Sequence, residues 1–264
     1  MKILFVQIVC FLYFTSMSAL SNTNIKSDDK TSKTDKIILT VALEEQGYFP
    51  YYYQKNGNMT GFSVDVINYI EAHSNYDFEF IILPWPRALH LVSQGEVDFV
   101  LTLFNTPQRA QVYHFIEPAY GIEVSQLFRL RANNIDYSGK LEQLTPYSIG
   151  TLREYSYGEY FDQADYLKKL PVLTEEVLLK LLLAERTDFI ISNSHVFKQL
   201  IAERNLQSKI KTVEPYVSIT PVHMALTKAR KDALEIKKVT EKLTQQLKNS
   251  PYYQQLLEKY QLNY

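Results

Sequence analysis

From Ile37 onward, short apolar runs alternate with segments whose apolar residues recur at helical spacing. Ile37 to Leu43, Phe78 to Leu83 and Val97 to Leu103 each predict a buried strand. Between them, Val64, Ile67 and Ile70 mark a helix that Gly61 starts, and Ala88, Leu89, Leu91 and Val92 a helix that Gly95 ends. The alternation resumes with a strand from Ser148 to Leu152, a helix marked by Val177, Leu178, Leu181 and Leu182, and a strand from Asp188 to Ser192. Ser194 can cap the next helix, which carries Val196, Phe197, Leu200 and Ile201, and Val222 to Leu226 predicts one more strand. Two helices close the chain, one with Ile236, Val239, Leu243 and Leu247, the other opened by Ser250 and Pro251 and carrying Tyr253, Leu256, Leu257 and Tyr260. Such alternation implies an α/β fold, with parallel sheets covered by helices and ligands bound beyond the carboxyl ends of the strands.

The strand from Val97 to Leu103 runs directly into a helix start, Asn105-Thr106-Pro107-Gln108-Arg109. Thr106 suits the N-cap and Pro107 the first helical position. Arg109 then falls third, where the positive end of the helix dipole disfavours a cation and a capping box would place Glu or Gln. An anion held there by backbone N–H groups and the guanidinium would explain the choice; the alternative is an arginine turned into solvent. A second match, Ser156-x-x-Glu159, predicts a capping box before another helix.

The first residues read as a secretory signal peptide over 1–21: Lys2, an apolar stretch from Ile3 to Phe14, then small residues ending in Ala19-Leu20-Ser21. The single cysteine, Cys10, lies inside that leader without a lipoprotein cleavage box, so the mature chain is expected to be unlipidated and free of disulfides. Residues 22–36 are polar and charged and read as a disordered spacer. About 228 residues remain, enough for one large domain or two lobes. The formal charge of −1 offers nothing to nucleic acid or to an anionic membrane. The 20 tyrosines, with Tyr48, Tyr51, Tyr52 and Tyr53 clustered, suit either a small polar ligand or a solvated aromatic loop. The chain contains no Gly-x-Ser-x-Gly, P-loop, His-Glu-x-x-His or Gly-x-Gly-x-x-Gly motif, and its five histidines show no ligand spacing. Neither a metal nor a cofactor is expected.

Several segments together resemble family 3 periplasmic solute-binding proteins, whose best-known members serve polar amino-acid ABC transporters. They are Tyr48-Phe49-Pro50-Tyr51, Gly61-Phe62-Ser63-Val64-Asp65-Val66, Gly95-Glu96-Val97-Asp98, Thr106-Pro107-Gln108-Arg109, Phe115-Ile116-Glu117-Pro118-Ala119-Tyr120 and the terminal Asn249 to Tyr260. Their order and spacing span nearly the whole mature chain. The resemblance implies a two-lobed type II fold with a ligand cleft, lobe 1 from 37–119 and 220–264 and lobe 2 from 120–219. By position it implies that Arg109 clamps a ligand carboxylate and that Thr102 and Ser156 supply hydroxyls beside it. Tyr48 and Trp85 would pack on the ligand, and Glu45 would stand near its far end.

Two positions depart from the family pattern. Asn193 stands where amino-acid binders keep an acidic residue for the ligand ammonium, and Phe104 where many keep a small polar residue. Asparagine accepts a hydrogen bond without neutralising a charge, and a buried unpaired ammonium is costly. An amine-free carboxylate, an uncharged amine or a modified amino acid is therefore open as ligand. The expected function is periplasmic binding of a small carboxylate for a membrane transporter, such as an ABC permease, or a sensor, by a monomer. The alternative is an enzyme on the same scaffold, such as a cyclohexadienyl dehydratase-like lyase, for which Glu45 and Glu154 would be the candidate acids.

Overall fold

The computed structural model describes residues 36–262. The leader, and all of the expected spacer except Lys36, lie outside these residues; Lys36 Nζ bonds Asp77 Oδ1 at 2.8 Å. The elements in order are β1 (Ile37–Glu44), β2 (Tyr53–Lys55), β3 (Asn58–Thr60), α1 (Phe62–Ala72), β4 (Tyr76–Leu83), α2 (Trp85–Gln94), β5 (Phe99–Leu103), α3 (Pro107–Val112), β6 (Tyr113–Phe115) and β7 (Gly121–Leu130). They continue with β8 (Ser148–Leu152), α4 (Glu159–Asp162), β9 (Lys168–Val172), α5 (Glu175–Leu183), β10 (Phe189–Asn193), α6 (Ser194–Glu203), β11 (Ile210–Thr227), α7 (Ala233–Lys248) and α8 (Pro251–Lys259).

Local chemistry sets most boundaries. Thr106, Thr174 and Ser250 each accept a hydrogen bond from the N–H three residues on, at 3.3, 3.2 and 3.4 Å, and so open α3, α5 and α8. Gly61 opens α1 at φ 133°, and a Cβ there would sit 2.3 Å from the Tyr51 carbonyl oxygen, so only glycine fits. Gly95 ends α2 in the left-handed conformation. Two expected caps are corrected. Ser194 does not cap α6; Asn193 does, its Oδ1 accepting from the His195 and Val196 N–H groups at 2.9 and 3.3 Å. The Ser156–Glu159 capping box does not form either. Gly158 occupies the N-cap of α4, and the Ser156 hydroxyl is taken by Asp162.

The main sheet runs β4-β1-β5-β11-β7-β10-β8-β9. That order is a palindrome: β1 pairs in parallel with β4 and β5, and β8 in parallel with β9 and β10. Each triplet is then closed by a long antiparallel strand, β11 beside β5 and β7 beside β10. β7 and β11 pair antiparallel with each other, with a register shift between Val213 and Ser218, and join the two lobes. The sheet is thus mixed rather than wholly parallel, and the strand expected over Val222 to Leu226 begins at Ile210. The two triplets share a fastening. Asp98, just before β5, accepts from Thr40 N and Oγ1 on β1 at 2.8 and 3.0 Å, while its own N–H donates to Thr40 Oγ1. Asp188, just before β10, does the same with Ser148 N and Oγ on β8 at 2.8 and 2.7 Å. Asp98 also pairs with Arg230 at 2.8 Å.

Apolar side chains from 127–213 pack two clusters in the second lobe. The first lobe is packed by residues from both ends of the described chain, including Leu39, Phe62, Tyr253 and Leu256. Charged hydrogen bonds of this kind are each worth about 1.5–3 kcal/mol net. Asp98→Ala is therefore expected to lower stability by about 3 kcal/mol and Asp188→Ala by about 2 kcal/mol. Because the two lie in different lobes, the double variant should show their sum within about 0.5 kcal/mol, measured by urea denaturation.

Candidate functional site

The two tyrosine-bearing loops leave equivalent strands. Tyr48 follows β1, Tyr155 follows β8, and the rings meet in the cleft with centroids 6.2 Å apart. Around them Tyr52, Trp85, Thr102, Phe104, Arg109, Glu123 and Ser156 line one cavity of about 20 Å³, room for about one water. Tyr155 fills the centre of the cleft. Its ring lies tilted against Trp85 with centroids 5.5 Å apart, its hydroxyl bonds Glu44, and it packs against all four apolar clusters among the described residues. Phe104, Arg109, Tyr155 and Ser156 also face a second cavity of about 680 Å³.

Two residues beside this space hold unusual backbone conformations. Thr102 has φ 54° and Glu154 has φ 64°. A left-handed, β-branched threonine is a genuine outlier, and such positions cost about 1–3 kcal/mol each. At Thr102 the turned backbone sends its N–H to the Tyr120 hydroxyl at 3.1 Å. At Glu154 it aims the carbonyl across the cleft, where Arg109 Nη2 donates to it at 2.7 Å and Trp85 Nε1 at 3.4 Å. Arg109 Nη1 donates to the Phe104 carbonyl at 3.3 Å.

Burial sets the electrostatics. It pulls the Arg109 guanidinium below its ordinary pKa, against the pull of Asp162 and other nearby groups. Glu123, only 3 % exposed, is raised to about 7, mainly by desolvation; Tyr48, Asn193 and Arg109 oppose the shift. The Tyr48 hydroxyl donates to Glu123 Oε2 at 2.7 Å, and Oε1 makes no hydrogen bond. Desolvation likewise raises Glu44 to about 7 and Glu175 to about 8. α3 is a helix of six residues, so the guanidinium rather than the helix dipole is the cation that matters here.

Of the residues expected at a site, Arg109, Tyr48, Trp85, Thr102, Phe104 and Ser156 are brought together around the cavity. Asn193 is buried with its side chain engaged in capping α6. Glu45 is exposed and lines a different cavity, of about 600 Å³, with Glu44, Glu175, Glu176 and Glu203. Glu154 contributes its carbonyl rather than its exposed carboxylate. The sequence reading missed Glu123, Tyr155 and Tyr52. Nothing in the run Gly121-Ile122-Glu123-Val124 marks the glutamate as buried. Tyr52 stood in a cluster already noted for ligand contact.

A mixed α/β fold of two lobes with a cleft at the strand ends is that of the amino-acid-binding proteins of the periplasm. The chain belongs to the bacterial extracellular solute-binding proteins, family 3, whose model matches residues 39–263. It is 24% identical over 249 residues to YxeM of Bacillus subtilis (strain 168), a "probable amino-acid-binding protein", covering 92% of this chain and 89% of that one. Among solved structures it resembles a histidine kinase sensor domain similar to periplasmic binding proteins, with TM-score 0.75 and 19% identity over 86% of this chain and 96% of the other. It also resembles the ancestral amino-acid-binding protein AncCDT-1, a precursor of cyclohexadienyl dehydratase, with TM-score 0.67 and 21% identity over 84% and 95%.

Trp85 is the only tryptophan, and its contacts across the cleft are Tyr155 and the Glu154 carbonyl. Tyr155→Ala should therefore let water reach the indole and shift its emission to longer wavelength at unchanged far-UV circular dichroism. An unshifted spectrum would show that Tyr155 does not shield it.

Proposed function

We propose that this protein binds a small carboxylate-bearing solute of the amino-acid type between its lobes, in the periplasm, and delivers it to a membrane transporter or sensor. The observation that carries the reading is Arg109. It is a desolvated guanidinium at the mouth of a strand, in an aromatic-lined cavity shared by both lobes, and two of its five N–H donors are spent on carbonyls. A ligand carboxylate is the group that satisfies such a fork bidentately. In this reading Thr102 and Ser156 place hydroxyls near the carboxylate. Tyr48, Trp85 and Phe104 pack on the ligand body, Asn193 shapes the second-lobe wall, and Glu45, on the wall of the separate cavity of about 600 Å³, stands beyond the ligand's far end. Residues 37–119 and 220–264 move as one lobe and 120–219 as the other. The YxeM name supports the ligand class, and the likeness to a sensor domain supports a sensor as one possible recipient.

A second reading, a lyase on this scaffold, draws on Glu123: a buried carboxyl with pKa raised to about 7 has the property a general acid needs. Native mass spectrometry separates the two. A binding protein releases its ligand unchanged after prolonged incubation, and a lyase releases product.

Truncating one partner of a buried charge pair costs about 2–5 kcal/mol, so Arg109→Ala should lose calorimetric binding of the carried ligand by about 30-fold or more while remaining folded. Undiminished affinity would remove Arg109 from the site.

A further inference from the structure

Arg109 and Glu123 line the same small cavity with opposite charges, yet no ion pair joins them among the described residues. Arg109 turns to two backbone carbonyls. Glu123 holds the Tyr48 hydroxyl with one oxygen and keeps the other, buried, without a hydrogen bond. A buried carboxylate oxygen left in this state is costly, and its cost is relieved when a donor, above all a cation, is placed against it. Asn193 is not that donor in full. Its Oδ1 is fixed by two N–H groups of α6, which fixes its Nδ2 as well, and Nδ2 makes no hydrogen bond of good geometry. Its side chain lies against Glu123 as a neutral donor and lowers the carboxyl's pKa by less than burial raises it. An aspartate at 193 would instead set a second carboxylate beside Glu123, and like charges in one buried site cannot both ionise.

We propose that Glu123 receives the ligand's ammonium group, so that the ligand is a zwitterion held by its carboxylate at Arg109 and by its amine at Glu123. This rests on the carboxylate reading of Arg109. The countercharge that seemed absent at position 193 is supplied by the third residue of β7, where the chain crosses between lobes. The uncharged Asn193 is then the neighbour such a carboxylate requires. Tyr48 has two tasks in this arrangement: it packs on the ligand, and its hydroxyl orients the carboxylate. Selection against amine-free acids follows, because these would leave Oε1 of Glu123 without a cation.

The test is calorimetry with the twenty common L-amino acids and, for each that binds, its desamino acid, in which hydrogen replaces the ammonium. Wild type should bind at least one amino acid and bind its desamino partner about 100-fold more weakly. Glu123→Gln keeps the side-chain volume and an acceptor for Tyr48. It should lose about 30-fold or more on the amino acid and change affinity for the desamino acid by less than about threefold. Arg109→Ala should lose both. A pH series adds a readout that a packing role would not move. With the free carboxyl near 7 and an ammonium holding it ionised in the complex, wild-type affinity should fall about tenfold from pH 8 to pH 6. The titratable and charged groups facing Glu123 are Tyr48 and Tyr120, which burial keeps protonated, and Arg109. Glu44 and Glu175, beyond Tyr48 and Tyr155, titrate in wild type and variant alike, so the difference between their pH profiles reports Glu123. Glu123→Gln binding the amino acid as tightly as wild type, or losing both probes equally, overturns the proposal while leaving Arg109 in place. Undiminished binding by Arg109→Ala, or binding of amine-free acids alone or of no probe, overturns it as well.

Discussion

The antiparallel pairing of β7 with β11 is the constraint on which the rest of this architecture depends. Each lobe is a parallel triplet with a bare flank, and an unpaired strand edge must be covered or paired. β11 covers one flank and β7 the other, and their mutual pairing makes one sheet of two halves. The same pairing aims the carboxyl ends of β1, β5 and β8 at a common space. Tyr48, Arg109 and Tyr155, which come from distant parts of the chain, therefore meet. The register shift between Val213 and Ser218 lies on this bridge, where a local break in the ladder bends a strand.

The cleft concentrates features that packing alone would not select. The left-handed Thr102, the raised carboxyl of Glu123 and a desolvated arginine surround a space about one water in size. Each is unfavourable by itself. They persist because the two fastenings, Asp98 on Thr40 and Asp188 on Ser148, fix the strands from which the cleft loops depart. Low polarity then strengthens whatever charge complementarity a ligand brings. Tyr155 occupies the centre of the cleft, beside the contacts that the Glu154 carbonyl makes to Arg109 and Trp85.

Local chemistry was legible in the sequence, and long-range pairing was not. The Thr106-Pro107 start, the Ser250-Pro251 start and the glycines at 61 and 95 act within a few residues, so their structures follow from neighbours in the chain. β7 escaped because it is buried on both faces and carries Glu123, Ser125, Gln126 and Arg129 among its apolar residues, which blurs the alternation that marks a strand. Ser156 failed as a cap because Asp162, six residues on, competes for its hydroxyl. Most of the cavity lining was named from the family resemblance. Glu123 was not, since its importance lies in burial beside Arg109 and Asn193, which only the folded chain brings together. The repeated fastening escaped as a repeat because its trace in the sequence is short, Asp98-Phe99-Val100-Leu101-Thr102 against Asp188-Phe189-Ile190-Ile191-Ser192, and the partners Thr40 and Ser148 stand far from it in the chain.

The order in which the chain supplies its cores has a consequence for how the molecule is made. Both apolar clusters of the second lobe draw their buried residues from one continuous stretch, Leu127 to Val213, with the half-buried Val217 packed against one of them. The first lobe begins earlier and finishes last. Phe62 stacks on Tyr120 and lies against Tyr253 and Tyr260 of the final helix. A chain emerging amino end first can therefore complete these two clusters while the first lobe still lacks its closing wall. Until α8 arrives, the earliest strands wait with their apolar face uncovered, the condition in which long-range topologies are slow to fold and exposed to aggregation. The last turns of the chain, far from the cleft in sequence and chemistry, decide when a binding-competent molecule first exists.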